Sequence, residues 1–128
     1  MNVKTTILWI TKFIVAGILL QTLYFKFSGH PDSVYIFEQT GMGNAGRIGS
    51  GIGELIVAIL ILIPRTAWLG AMGAMAMMSG AIFFHLTSLG TEVNNDGGLL
   101  FRLAVIVFVG GTYILLRHKK DIPLFKKD

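Results

Sequence analysis

Apolar residues run almost without interruption through four stretches of this chain, separated by short segments rich in Gly, Pro, amide and charged residues. The stretches cover residues 7–27, 48–63, 67–89 and 99–116. A helix needs about 20 apolar residues to cross the hydrocarbon of a bilayer. Backbone N–H and C=O groups in that hydrocarbon must be satisfied within the segment, and a helix does this. The pattern therefore predicts an all-α chain, a single transmembrane domain over 1–128 that forms a four-helix transmembrane bundle. The second span is the shortest and is stopped by Pro64, which cannot continue a helix cleanly. Gly46 and Arg47 can lengthen it, or the bilayer can thin locally.

The connections differ in character. Residues 64–66 leave so little chain that spans two and three must form a tight antiparallel hairpin. Residues 91–98 include Glu92, Asn94, Asn95, Asp96, Gly97 and Gly98, a polar and acidic turn. The first connection is longer, and its residues 31–40, PDSVYIFEQT, predict a short interfacial helix. Pro31 suits the first turn of that helix and Gly41 its end. Val34, Tyr35 and Phe37 would give it an apolar side for the membrane surface. The run after Lys4 begins as a signal peptide would, but it continues to Phe27 without a small-x-small cleavage site, so it reads as a retained first helix.

Composition sharpens this. The chain is 53% hydrophobic and 14% charged, against roughly 25% charged in an average soluble domain. A soluble chain of 128 residues could not hide that much apolar surface. The net charge of +4 resides mostly between Arg117 and Lys127. Beside a span, such a tail is a topology signal first and a contact for anionic headgroups second. No nucleic-acid motif accompanies it, so nucleic acid is not an expected partner. One set of connections and ends holds Lys4, Arg65, Arg117, Lys119, Lys120, Lys126 and Lys127; the other holds Lys26, Arg47 and Arg102 at helix ends, plus the acidic turn. The positive-inside rule then places both termini and the Pro64 turn in the cytoplasm. In a bacterium the chain would sit in the inner membrane with its first and third connections in the periplasm. The absence of cysteine removes disulfides, thiolate metal sites and thiol exchange within the chain.

Helices in lipid associate through close packing, which favours small residues. Gly46, Gly49, Ser50 and Gly53 share one face of span two, with Gly49 and Gly53 as a GxxxG pair. Ala71, Ala74, Met78, Ala81 and His85 form a stripe on span three, flanked by Gly70, Gly73, Met77 and Gly80, and span four offers Gly110 and Gly111. These faces serve either a self-contained bundle, the preferred reading, or the docking of a membrane partner or a second copy.

Ionisable groups within a span cost about 2.5–3.5 kcal/mol each at mid-helix. Gln21, Lys26, Glu54, His85 and Arg102, drawn from all four spans, fall in the outer half of the bundle and form the candidate ligand-binding set. A lone carboxylate facing lipid is disfavoured, so Glu54 is expected to meet Lys26, Arg102 or His85, or to carry a proton. Three readings stay open: a salt bridge that fixes helix register, a site for a polar ligand or headgroup opening outward, and a proton or electron path. Lys26 and Arg102 can also snorkel to the interface, and Lys12 is expected to do so on the cytoplasmic side. His30 and His118 fall in a loop and a tail and need no role. Met72, Met75, Met77 and Met78 with His85 suggest soft-metal chemistry, but methionine fills gaps in ordinary cores and these four lie on more than one face. With one histidine inside a span, two-histidine haem ligation lacks its second ligand. No catalytic set, metal site or resident cofactor is expected.

Several segments together resemble the DoxX-like family of small four-span membrane proteins. FKFSG closes span one, GRIGSGIGE carries a Glu into span two, AIFFHLTSLG ends span three, and DGGLLFRLAVIVF opens span four. The resemblance covers nearly the whole chain. It implies that Lys26 is the basic residue closing the first span, Glu54 the acidic residue of the second and His85 the polar residue near the end of the third. The family takes its name from a subunit of a thiosulfate:quinone oxidoreductase, and its wider superfamily includes eukaryotic cargo-receptor-like proteins. The resemblance implies a fold more than a reaction. The leading expectation is a membrane accessory protein, not an enzyme on its own, that binds a small polar or lipidic ligand or a membrane partner. The alternatives are a subunit of a quinone-linked oxidoreductase, with quinone as cofactor, and a small transporter or proton path. The last ranks lowest, because the inner half has almost no polar group beyond Lys12.

Overall fold

The computed structural model describes residues 2–90, apart from the side chain of Ser88, and 98–122. The acidic turn of residues 91–97 and the tail lysines Lys126 and Lys127 lie outside the described residues. The chain is helical, with no strand among the described residues. Helix α1 runs Val3–Phe27; it starts a turn before the apolar run because the Asn2 side chain caps it, Oδ1 accepting from the Thr5 N–H at 2.8 Å. Helix α2, Pro31–Gln39, is the short helix expected in the first connection. His30 is its N-cap: Nδ1 accepts from the Asp32 N–H at 3.1 Å, and the ring lies 4.7 Å from that of Phe25. A histidine expected to have no role therefore joins α1 to α2.

Helix α3 spans Gly43–Leu62 and so begins five residues before position 48, which gives span two its full length without bilayer thinning. Pro64 stops it, and a single 3₁₀ turn, Pro64–Thr66, leads into α4, Ala67–Phe84. The hairpin is as tight as expected. Helix α4 ends in a π-helical turn, His85–Leu89, closed by Gly90 at a positive φ of 78°. Helix α5 spans Leu99–Arg117, followed by a 3₁₀ turn at Lys119–Asp121. Four of these stretches are long and apolar enough to cross a membrane: Val3–Phe27, Gly43–Leu62, Pro64–Thr87 and Leu99–Arg117.

The long helices stand in a square, with α1 and α4 each packed against both α3 and α5. Neighbours are antiparallel. Gly70 and Gly73 of α4 meet Ile61 and Val57 of α3, and Gly111 of α5 meets Ala71 of α4. Gly110 of α5 meets Val15 and Thr11 of α1, while Arg47 near the start of α3 bonds the end of α1. Inside the square lie Val15, Leu19, Ala58, Ile61, Ala71, Ala74, Val107 and Ile114. Outside, Ile10, Phe13, Ile52, Ile56, Phe83 and Val109 are all exposed, an apolar exterior that only lipid would cover. The protein is a membrane protein with an all-α, four-span fold.

Glycine permits the closest contact at Gly70, where an added Cβ would stand 2.7 Å from the backbone nitrogen of Ile61. No side chain fits there unless α3 and α4 separate. The GxxxG face of α3 behaves differently from expectation. Gly49 is exposed with open space around it, and Gly53 meets only the flexible end of Met77. The buried glycine is Gly51, against the Phe27 ring. The physical reason is the stripe Gly51, Glu54, Ala58 and Ile61, which shares one helix face and is buried as a unit. Rotating α3 to bury Gly49 would turn the Glu54 carboxylate toward lipid. The small-residue stripe of α4 matches expectation: Ala71, Ala74, Met78 and His85 are buried, and Ala81 is partly so.

Lys12 is a correction. It does not snorkel: it is 1% exposed, packed in the bundle with its Nζ 4.3 Å from the centre of the Trp9 ring. Asp121 of the C-terminal 3₁₀ turn supplies a nearby negative charge. The turn also carries a contact to His118, whose Nδ1 lies 3.0 Å from Asp121 Oδ2.

Candidate functional site

A cavity of about 330 Å³ opens among all five helices at the end of the bundle that α2 covers. Its wall is mostly aliphatic and aromatic, from residues such as Leu19, Met77, Met78, Phe84, Leu103 and Val107. Its polar groups gather at the α2 end: Thr22 and Lys26 from α1, Ser33 and Thr40 from α2, Ser50 and Glu54 from α3, and His85 from the π-helical turn.

Each polar side chain has a local reason for its place. Glu54 is brought inward by the buried stripe of α3 and is 2% exposed. One of its oxygens pairs with the Lys26 ammonium, and the other accepts from the Thr22 hydroxyl at 2.6 Å. Lys26 lies in the last turn of α1, and its ammonium sits 5.8 Å from the centre of the Phe37 ring, a second attraction for the charge. Because α3 starts at Gly43, Glu54 is roughly three turns from that end rather than two. Arg47 fastens the top of this pair: it donates one Nη to the Lys26 carbonyl, which also accepts from the Gly29 N–H at the end of the helix, and the other to Asn44 Oδ1 at 3.4 Å. His85 is 5% exposed, and its ring stands edge-on to Phe101 at 5.7 Å. Its Nδ1 is 3.0 Å from the Gly90 carbonyl oxygen. A carbonyl only accepts, so Nδ1 carries the hydrogen, and in the neutral ring Nε2 is left as an acceptor. The π-helical turn that aims this ring inward is a departure from α geometry often found at functional sites.

The structure brings Lys26, Glu54 and His85 around one cavity and leaves Gln21 and Arg102 outside its wall. Gln21 is exposed on α1 and borders a smaller hollow of about 180 Å³ shared with His30, Asp32 and Leu99. Arg102 is exposed on α5, one turn from the helix start, with its Nε 3.4 Å from the Gly98 carbonyl. Depth along a helix places a residue at a level, but its position around the axis decides whether it enters the bundle. Both residues fall on the outward side.

Thr22, Ser33, Thr40 and Ser50 were not among the candidate site residues read from sequence, where Ser50 was placed only on a small-residue packing face. Thr22 is one turn before Lys26 and so shares its face, a signal that spacing could have given. Ser33 lies one turn before Phe37, and these two are the buried residues of α2, whereas Tyr35 is exposed. The apolar side expected from Val34, Tyr35 and Phe37 is thus rotated, because α2 rests on α3 and on the π-helical turn. The Lys26 ammonium and the Glu54 carboxylate of the wall balance each other. Among the described residues no three His, Asp or Glu side chains gather as a metal site requires.

No curated protein and no solved structure matches the chain significantly. A family model described as DoxX matches residues 7–86, more than half of the chain, from the first turns of α1 to the start of the π-helical turn. Lys26, Glu54 and His85 all fall within that match, and the chain belongs to the DoxX family.

Proposed function

We propose that this DoxX-family membrane protein is an accessory protein that binds a small lipid-soluble molecule in the cavity beneath α2. The cavity itself carries the reading. Its volume of about 330 Å³ is within the roughly 300–1,000 Å³ of small-molecule sites, and its make-up of apolar walls with a few convergent polar groups is theirs too. Ala76 and Gly80 border the cavity and are also exposed on the lipid-facing side of α4, so a molecule dissolved in the bilayer can enter laterally. A register-fixing role for the Lys26–Glu54 pair alone would not require a cavity beside it.

Ala81 is partly buried in the cavity wall, and Ala81→Phe would fill much of the space without touching the ion pair. Native mass spectrometry of protein extracted from membranes should find the wild type carrying a lipid-soluble molecule and the Ala81→Phe variant without it. Identical spectra for the two would sink the reading. A quinone is one occupant the same shape admits, since it needs an apolar slot with hydrogen-bonding groups at one end; the retained mass would identify it.

The orientation follows from charge. Lys4, Arg65, Arg117, Lys119 and Lys120 belong to the end opposite the cavity, whereas Lys26 and Arg47 at the cavity end are engaged with Glu54, Asn44 and the α1 carbonyl. We read the cavity as opening into the outer leaflet, with both termini cytoplasmic and, in a bacterium, the inner membrane as the host. A reporter enzyme active only outside the cell membrane should stay silent when fused to the C-terminus; activity there would reverse the orientation.

A further inference from the structure

We infer that the molecule bound in this cavity presents a neutral hydroxyl group, received by Ser33 and His85, rather than an anion, a cation or a bare carbonyl. The inference rests on the lipid-soluble ligand proposed above and concerns what its head must be. The cavity wall leaves particular hydrogen-bonding groups unspent.

The two charges of the wall neutralise each other. Both oxygens of Glu54 have donors, Lys26 on one and Thr22 on the other. An anion entering here would meet the Glu54 carboxylate, and a cation would meet the Lys26 ammonium. Ser33 is different. It is fully buried, it borders the cavity, and its Oγ has no hydrogen-bond partner. A buried hydroxyl without a partner is costly, and such groups in folded proteins are normally satisfied. His85 adds the complementary need. Its Nδ1 is committed to the Gly90 carbonyl, so the neutral ring offers Nε2 as an acceptor. Helix α2, which carries Ser33, packs against the π-helical turn that begins at His85, and both residues line the cavity.

One hydroxyl and one imine nitrogen select the head group. A ketone only accepts: Ser33, Ser50 and the remaining N–H groups of Lys26 can donate to it, but it offers no hydrogen to Nε2 of His85, whose lone pair faces its oxygen unfavourably. A hydroxyl satisfies both: it donates to Nε2 of His85 and accepts from Oγ of Ser33. The remaining wall is apolar, and about 330 Å³ is roughly twice the 150 Å³ cavity that takes up benzene. The body is therefore a short hydrocarbon chain or one to two rings. A lipid alcohol and a phenol share this chemistry.

The experiment is saturation binding of radiolabelled dodecanol to the full-length protein in phosphatidylcholine nanodiscs, with empty nanodiscs subtracted. Dodecanol should bind saturably and at least about tenfold more tightly than dodecane, dodecanoate, dodecylamine or methyl decyl ketone in competition, the worth of a satisfied hydrogen bond. Ser33→Ala should weaken dodecanol about tenfold and leave dodecane unchanged, as should His85→Gln. The Ser33→Ala change is small enough to keep the fold, which circular dichroism and gel filtration check. A parallel arm with para-nonylphenol separates an aromatic hydroxyl from an aliphatic one. Tighter binding of dodecanoate, dodecylamine or the ketone than of dodecanol would overturn the inference while sparing the lipid-soluble ligand. So would an unchanged dodecanol affinity in folded Ser33→Ala. Saturable binding by none of the probes would remove both.

Discussion

Replacing Lys26 by Met is expected to lower the stability of the bundle by about 3–5 kcal/mol, the usual cost of breaking a buried ion pair from one side. The double variant Lys26→Met with Glu54→Leu should recover most of that loss. The asymmetry follows from burial. Glu54 is 2% exposed, so its carboxylate cannot turn to water once Lys26 is removed. The Thr22 hydroxyl alone would be left to solvate a carboxylate in a low-dielectric interior, and the group would have to take up a proton. Removing both charges leaves an apolar interior of similar volume, which is often as stable as the pair it replaces. The coupling between the two sites, read from unfolding of all four proteins in bicelles, should then exceed about 2 kcal/mol, well outside the few tenths seen for independent sites. Additive effects would mean that the two residues do not meet in the membrane. Glu54→Leu alone should cost less than Lys26→Met. The Lys26 chain is long enough to carry its ammonium toward the interface, whereas Glu54, fixed on a central face of α3, cannot follow.

Sequence required Glu54 to meet Lys26, Arg102 or His85 or to carry a proton, and the structure selects Lys26; most of the fold was legible too, because a bilayer imposes few alternatives. Four apolar runs of the right length had to be helices, and Pro64 had to end one of them. A carboxylate inside such a run had to find a cation, and Lys26 was available at the right level on the antiparallel neighbour. What sequence did not resolve was rotation about each helix axis. Glycine spacing suggested that Gly49 and Gly53 face a neighbouring helix, yet the burial of Glu54 outweighs the advantage of small residues: Gly49 is turned away and Gly53 reaches only the end of Met77. Arg102 and Gln21 were placed with the cluster by depth alone, and the side of the helix they occupy keeps them from the cavity. Ser33 was overlooked for a related reason. The side of α2 that docks is fixed by the shape of the bundle end beneath it, a non-local property that a nine-residue segment does not encode.

Lys12→Met is expected to do the opposite of Lys26→Met and raise stability by about 1–2 kcal/mol. Lys12 is 1% exposed and the attractions on its ammonium are modest. The Trp9 ring at 4.3 Å is worth about 2 kcal/mol when desolvated. Asp121 acts from a side chain that is 43% exposed and already engaged with His118. Taking an ammonium out of water costs several kcal/mol even after relaxation, so the balance is against the charge, and methionine fills a similar volume with a flexible apolar chain. The change should also leave the contents of the cavity beneath α2 untouched. Lys12 and Thr22 are separated by about 15 Å of helix at 1.5 Å per residue, and Val15, Ala16 and Leu19 between them are at most 2% exposed. A proton or ion moving through the bundle would need polar groups across that gap. The same unfolding measurement, paired with the mass spectrum of the bound molecule, therefore decides between an end-to-end path and a closed site. A Lys12→Met protein that is more stable and still loaded fits a cavity working from one side of the membrane. A loss of the bound molecule would tie the two ends together and revive the transport reading.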